Sequence, residues 1–308
     1  MKIKRFLELY KTFSPEIAIS SALASSFRHA APLKHRCILN YLKKNYADFI
    51  SNYKNKNVIN NNESSKIIWT MWWQSDNNFP DVVKMCIAST NQYRKNHVLK
   101  IITKNNYKEF INLPDYILEK LNNGSITITH FSDIVRFYLL YNYGGLWLDS
   151  TVFVTNEIPE KIFQAEYYTV KRPLTPKNRN VAQDRWTNFL HASKKQNFLC
   201  GFVLDFFLEY WKTQNILIDY FLIDYAIQIA YNEFSICKNL LDEVPSVNYD
   251  LYKFENLMNK EWSVETWNSI KNSTNFSKLA WRKNVNKKTF SGKETIYGHI
   301  FNYYENQK

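Results

Sequence analysis

Apolar positions come in short blocks separated by polar breaks, and the blocks change period along the chain. Residues 1–50 read as two or three helices interrupted near Ser14-Pro15 and Ala31-Pro32. In the first, Phe6, Leu7 and Tyr10 interleave with Lys2, Lys4, Arg5 and Lys11. That pattern suits a basic amphipathic helix on a bilayer or a helix packed on a main domain. Residues 52–65 are mostly polar, with Asn60, Asn61 and Asn62 in a row, and predict a linker. The expected division is a helical segment over 1–62 and a main domain over 63–308. Residues 66–74 form an apolar run with β-branched and aromatic side chains, the mark of a buried strand. Pro80 opens a helix through Val82, Val83, Met85, Cys86 and Ile87, residues 98–103 predict the next strand, and Leu113-Pro114 is a break. Thr129 or Ser132 can cap a helix running to about Tyr143, which Gly144-Gly145 ends. Residues 146–154 then predict a strand, and 198–213 and 216–231 predict two strongly apolar helices.

Strand, helix, strand, helix, strand argues for an α/β fold with a parallel sheet. In such sheets ligands bind beyond the carboxyl ends of the strands, which is where Trp72 to Gln74 and Asp149 to Thr151 fall. Composition narrows the reading further. Lys and Arg number 40 against 28 Asp and Glu, a formal charge of +12, which favours a polyanionic partner: phosphorylated substrate, anionic bilayer or nucleic acid. No run of about 18 apolar residues is present, so no spanning helix is expected, and no secretory signal is evident. Cys37, Cys86, Cys200 and Cys237 are scattered without ligand spacing, which predicts free buried thiols rather than a zinc site. The six histidines show no ligand spacing either and read as incidental. A cytoplasmic protein peripheral to the inner membrane face is the expectation.

Three segments carry chemistry. Asp133 and Arg136, three apart, share a helical face among Ile134, Val135, Phe137, Leu139 and Leu140. Charge in so apolar a setting needs a reason, because unpaired burial is costly. Asp149 ends an apolar strand beside Ser150 and Thr151 and offers oxygen ligands for a divalent metal. Trp72 is a base-stacking candidate, with Trp69 and Trp73 as alternatives; two of the three indoles are expected to pack the core.

The blocks Ile68-Trp69-Thr70-Met71-Trp72-Trp73-Gln74, Ser132-Asp133-Ile134-Val135-Arg136 and Tyr143-Gly144-Gly145-Leu146-Trp147-Leu148-Asp149-Ser150-Thr151 together resemble the bacterial capsular polysaccharide synthesis glycosyltransferases. These are similar to the wider Asp-x-Asp class of sugar transferases that includes the large glucosylating toxins. The resemblance implies a GT-A (Rossmann-like) nucleotide-sugar domain with extra helices at both ends, a UDP-sugar donor, Mn2+ or Mg2+, and retention at the anomeric carbon. It implies that Trp72 stacks on uracil, Asp133 binds donor sugar hydroxyls, Arg136 meets sugar and diphosphate, and Asp149 meets ribose and metal. Gln74, Ser150 and Thr151 complete the expected donor set. Thr151 stands where the wider class has its second carboxylate, so a two-carboxylate metal site is in doubt.

Residues 217–225 also resemble a block of the capsular group, and Asp224 is the candidate beside the anomeric carbon or acceptor. On a continuous helix Asp219 points about 140° away from it. Trp186, Asn188 and Ser193 lie in another matching block, as pocket or structural residues. The late basic stretch Lys278, Arg282, Lys283, Lys287 and Lys288, with Trp281 among them, has three readings: lipid contact, closure over the diphosphate, or a solvated face. The expected activity is hexosyl transfer, of galactose or glucose, from UDP-hexose to a lipid-linked saccharide, with peripheral binding to anionic membrane and no nucleic-acid partner. Rival readings are a protein acceptor, a basic nucleic-acid-binding protein, or an inactive scaffold.

Overall fold

The computed structural model describes residues 1–56, 63–74, 79–173, 179–247 and 250–306. Four helices come first: α1 (Ile3–Thr12), α2 (Pro15–Ser26), α3 (Ala31–Asn45) and α4 (Ala47–Lys54). Breaks fall where the prolines stand. Ser14 caps α2, its Oγ accepting the Ile17 N–H, and Pro15 takes the first helical position, where a missing donor is harmless. α4 extends into the stretch read as linker, and Asn60 to Asn62 lie outside the described residues.

Next, β1 (Ile67–Met71), α5 (Asp81–Tyr93), β2 (Val98–Ile102), α6 (Asp115–Asn122), α7 (Ile128–Tyr143) and β3 (Gly145–Leu148) alternate as the pattern predicts. There follow β4 (Val152–Val154), α8 (Glu160–Gln164), β5 (Tyr167–Thr169), β6 (Leu190–Ser193), α9 (Phe198–Thr213), α10 (Leu222–Glu233) and α11 (Ser235–Asp242). The chain closes with α12 (Lys253–Leu257), α13 (Val264–Lys271), β7 (Phe276–Lys278) and α14 (Ile296–Glu305). The main sheet has the order β2-β1-β3-β6-β5. It is mixed rather than wholly parallel: β2, β1 and β3 pair in parallel, but β6 runs antiparallel to both neighbours. The described part of the β5–β6 connection holds no crossover helix, and adjacent strands joined without one pair antiparallel.

Three local expectations change. The helix before the Gly-Gly turn starts earlier, at Ile128, because Thr127 caps it by accepting the His130 N–H on its Oγ1; neither Thr129 nor Ser132 does so. The single strand expected over 146–154 is two strands, split by a turn in which the Val152 N–H returns to the Asp149 carbonyl. β4 thereby leaves the main sheet and pairs with β7, with Val152 opposite Lys278. The helix expected over 216–231 begins only at Leu222. Ahead of it the Asp219 carboxylate accepts the Phe221 N–H, and the Tyr210 hydroxyl bridges the Ile216 carbonyl and the Ile218 N–H. A side chain that satisfies local backbone in this way competes with the helix. Asp219 and Asp224 are therefore not on one helix.

Gly144 and Gly145 are required. Their φ values are +67° and +99°, and a Cβ on Gly145 would sit 2.3 Å from the Ile67 carbonyl oxygen. β3 can thus lie against β1 only without a side chain there. One apolar core joins sheet, α7, α9 and α10 to the N-terminal helices, where Leu9, Ile38 and Leu42 are fully enclosed. A second core gathers Val82 and Met85 of α5, Phe153 of β4, Phe254, and Ile296 and Tyr297 of α14. The β4–β7 pair lies between the two cores, with Val152, Val154 and Phe276 in the first and Phe153 in the second. All four cysteines are free, and three are buried.

Candidate active site

α7 is buried nearly all round, with Phe131, Ile134, Val135 and Phe137 inaccessible, yet it carries Asp133 and Arg136 with 7 % and 3 % exposure. The Arg136 guanidinium resolves the conflict. Nη1 donates to Asp133 Oδ1 at 2.8 Å and Nη2 to Asp149 Oδ1 at 3.1 Å. It also lies over the Trp147 ring, 5.1 Å from its centroid. A planar fork can tie two carboxylates from different elements in this way, which a point-charge ammonium cannot. The three charged residues singled out in the sequence are therefore one network at the carboxyl end of β3.

A fourth member was only one residue of a basic stretch in the sequence. Lys278 donates to Asp149 Oδ2 at 3.0 Å and to Thr151 Oγ1 at 2.7 Å. The β4–β7 register delivers it across a gap of 129 residues, a separation no local pattern exposes. The rest of that stretch points elsewhere: Arg282 stacks on Trp281, Lys283 pairs with Glu255, and Lys287 pairs with Asp81. Burial works to raise the Asp149 pKa, but the charges of Lys278 and then Arg136, with the Trp147 N–H, prevail and hold it at about 2. His130, read as incidental, lies with Nδ1 3.5 Å from Asp133 Oδ2 and packs against Phe207 and Trp211.

The indoles divide as the sequence suggests. Trp69 is enclosed and donates to the Gly144 carbonyl, and Trp73 packs on Tyr107 and Phe131. Trp72 and Trp73 are both half-buried, but Trp72 lies outside the core packing at the strand end, edge-on to Trp281 with centroids 5.4 Å apart. Gln74 is exposed beyond β1, and Ser150 and Thr151 are enclosed in the turn.

Asp224 is set apart from this network. It faces a cleft of about 730 Å³ whose other walls include Arg5, Arg28 and Lys34 of the N-terminal helices. Trp186 Nε1 and Asn188 Nδ2 both donate to its Oδ1 at 2.9 Å, while its Oδ2 has no hydrogen-bond partner among the described residues. Burial raises its pKa to about 6 against those two bonds, and the nearby charge of Asp133 adds to the rise. Asp133 thus links cleft and network electrostatically, and Phe189 links them sterically: it lines the cleft, its carbonyl accepts the Asp149 N–H, and Lys278 lies over its ring. Asp219 pairs instead with Lys34 at 2.8 Å, and Ser193 is a buried structural residue of β6.

Mn2+ or Mg2+ requires oxygen lone pairs directed at one point. Both Asp149 oxygens and the Thr151 hydroxyl already accept from cations, and no group of three or more His, Cys, Asp or Glu suited to a metal occurs among the described residues. The residues around Asp149 do not fit a resident divalent ion.

A family model described as "Capsular polysaccharide synthesis protein" matches residues 22–300. No curated protein matches the chain. Among solved structures, one titled "PaToxG Glycosyltransferase" aligns with 79 % of this chain and 96 % of its own, at 13 % identity and a TM-score of 0.39.

Proposed function

The chain belongs to the capsular polysaccharide synthesis protein family, and from that premise we propose that it is a GT-A-like retaining glycosyltransferase moving galactose or glucose from a UDP-hexose to a lipid-linked saccharide. The observation that carries this reading is the Asp133–Arg136–Asp149 network at a strand end, beside a half-open indole and next to a large cleft. Trp72 takes the uracil, Arg136 meets the diphosphate, and Asp133 binds sugar hydroxyls. The reaction breaks the bond between the anomeric carbon and the diphosphate oxygen and forms one from that carbon to an acceptor hydroxyl oxygen. The hydroxyl proton passes to the departing diphosphate oxygen on the same face. Positioning and fixed charge supply most of the acceleration. Asp224 Oδ2, with Oδ1 held by the Trp186 and Asn188 bonds, accepts a hydrogen bond from a second, non-reacting hydroxyl of the acceptor sugar and so fixes the approach of the reacting one.

An amphiphilic acceptor suits the cleft and its surroundings. Arg28 and Arg179 line it, are exposed, and have no ion-pair or hydrogen-bonded side-chain partner among the described residues; Tyr220 and Phe221 line it and are also exposed. Eight of the exposed large apolar side chains fall within the first 33 residues, including Ile3 at 80 %, Leu7 and Phe27. Most of them lie on α1 to α3, and Lys2, Lys4 and Lys11 stand on or just before α1, so an anionic bilayer is matched both in polarity and in charge. No helix among the described residues is long and apolar enough to cross a membrane.

Calorimetric titration with UDP, ADP, UDP-galactose and UDP-glucose tests the donor assignment. Uridine nucleotides are expected to bind, with Trp72→Ala weakening them roughly 5- to 150-fold, the range for one stacked base of about 1–3 kcal/mol. Absence of heat with every uridine nucleotide, or equal affinity for ADP, overturns the assignment.

A further inference from the structure

A sugar diphosphate brings at least two negative charges to a site that already contains two carboxylates, so something must supply positive charge. In a site with two free carboxylates that role falls to a divalent cation. Here the second carboxylate is replaced by Thr151, and the space it would share with Asp149 is filled by the Lys278 ammonium, 3.0 Å from Asp149 Oδ2 and 2.7 Å from Thr151 Oγ1. Asp149 Oδ1 is occupied as well, by Arg136 and the Trp147 N–H.

The charge arithmetic agrees. Asp133 and Asp149 give −2, Arg136 and Lys278 give +2, and the network is neutral with no metal. A divalent cation entering it would face two fixed cations and no free carboxylate oxygen on Asp149. A diphosphate meets the opposite situation. An ammonium has three N–H donors; Asp149 and Thr151 engage two, and the third remains for a phosphate oxygen.

We propose that Lys278, held at the Asp149–Thr151 turn by the β4–β7 pairing, supplies the countercharge for the donor diphosphate in place of a divalent cation, so that nucleotide binding is metal-independent. This rests on the assignment of the network as a uridine diphosphate site. It makes Lys278 a specific ligand of that site, where the sequence shows only one member of a basic cluster. It also gives Thr151 a role: its hydroxyl holds the ammonium where an Asp in its place would compete for it and invite a metal.

The test is UDP titration into the full chain in three conditions: with EDTA, with Mg2+ and with Mn2+. The wild type is expected to bind UDP with the same affinity within about twofold in all three. Lys278→Ala, checked for folding by thermal melting, is expected to lose about tenfold or more with EDTA and to regain part of the loss with Mn2+, because Asp149 Oδ2 is then free. Lys278→Arg is expected to keep metal-independent binding, which a purely structural role for the aliphatic stem would not require. Direct Mn2+ titration without nucleotide is expected to show heat in Lys278→Ala and none in the wild type. Wild-type binding that appears only with metal overturns the proposal and leaves the UDP-site assignment standing. Failure of UDP to bind in any condition overturns both.

Discussion

At the scale of single residues, the site is built from charge that the fold must neutralise. Arg136 is the residue on which two carboxylates depend. Replacing it with Ala leaves Asp133 and Asp149 partly unpaired, and removal of one partner from such a buried pair costs about 3–5 kcal/mol; urea denaturation of Arg136→Ala is expected to show a loss of that size. Arg136→Lys is expected to fold better and still fail as an enzyme, with kcat/KM down at least about 100-fold, since one ammonium cannot reproduce the fork. Asp224 behaves in the opposite way. Its carboxyl goes from an ordinary 3.8 to about 6, so between these values the native state holds a proton that the unfolded chain has released. Stability therefore falls as pH rises from about 4 to 6, and roughly 3 kcal/mol is withheld at neutral pH. Asp224→Asn keeps an oxygen for Trp186 and Asn188, and is expected to gain about 1–3 kcal/mol at pH 7.5, a gain absent below about pH 4. The same variant is expected to lose transferase activity at least tenfold. In the wild type kcat/KM should climb through about pH 6. A flat pH profile together with unchanged activity in Asp224→Asn would remove this residue from the acceptor site.

At the scale of elements, turns set where chemistry can occur. The Gly144-Gly145 link lets α7 and β3 run back to back, so that Arg136 reaches Asp149 thirteen residues on. Gly145→Ala places a methyl 2.3 Å from the Ile67 carbonyl oxygen at a φ of +99°; the protein is expected to be recovered poorly folded or not at all. Gly124→Ala is the control, with φ +80° and open space around the added methyl, and should cost only the left-handed backbone term of about 1–2 kcal/mol in the same assay. Much of this level was readable in the chain. Polarity and proline positions marked α2, α5 and β1, and the Gly pair marked the end of α7, because those signals are local. Three other features escaped because their causes are not. β6 runs antiparallel for reasons of connection. The start of α10 is delayed by the Tyr210 hydroxyl from a neighbouring helix, together with the Asp219 side chain. Lys278 meets Asp149 only through strand pairing between distant segments. Asp133, Arg136 and Asp149 stood out because charge in an apolar stretch is itself a local anomaly.

At the scale of the whole molecule, the N-terminal helices are a wall of the cleft as well as a packed layer, since Arg5, Leu9, Arg28 and Lys34 line it and Leu9 belongs to the main core. Their outward side carries the apolar and basic residues described above. Flotation with vesicles containing anionic lipid is expected to carry the protein, and neutral vesicles are not. An Ile3→Asp/Leu7→Asp double variant should lose flotation while UDP affinity stays within twofold; equal flotation on both vesicle types, or none on either, removes the bilayer from the account. One further consequence belongs to the β4–β7 pair. Asp149 is translated long before Lys278, and the second apolar core, which takes Phe153 of β4 and Leu279 just after β7, needs α14 as well. A ribosome-bound fragment ending before residue 276 therefore contains Trp72, Asp133, Arg136 and Asp149 and still lacks the cation that completes their charge balance. The enzyme is expected to stay silent while this stretch is being made and to switch on only after β7 and α14 have both been added.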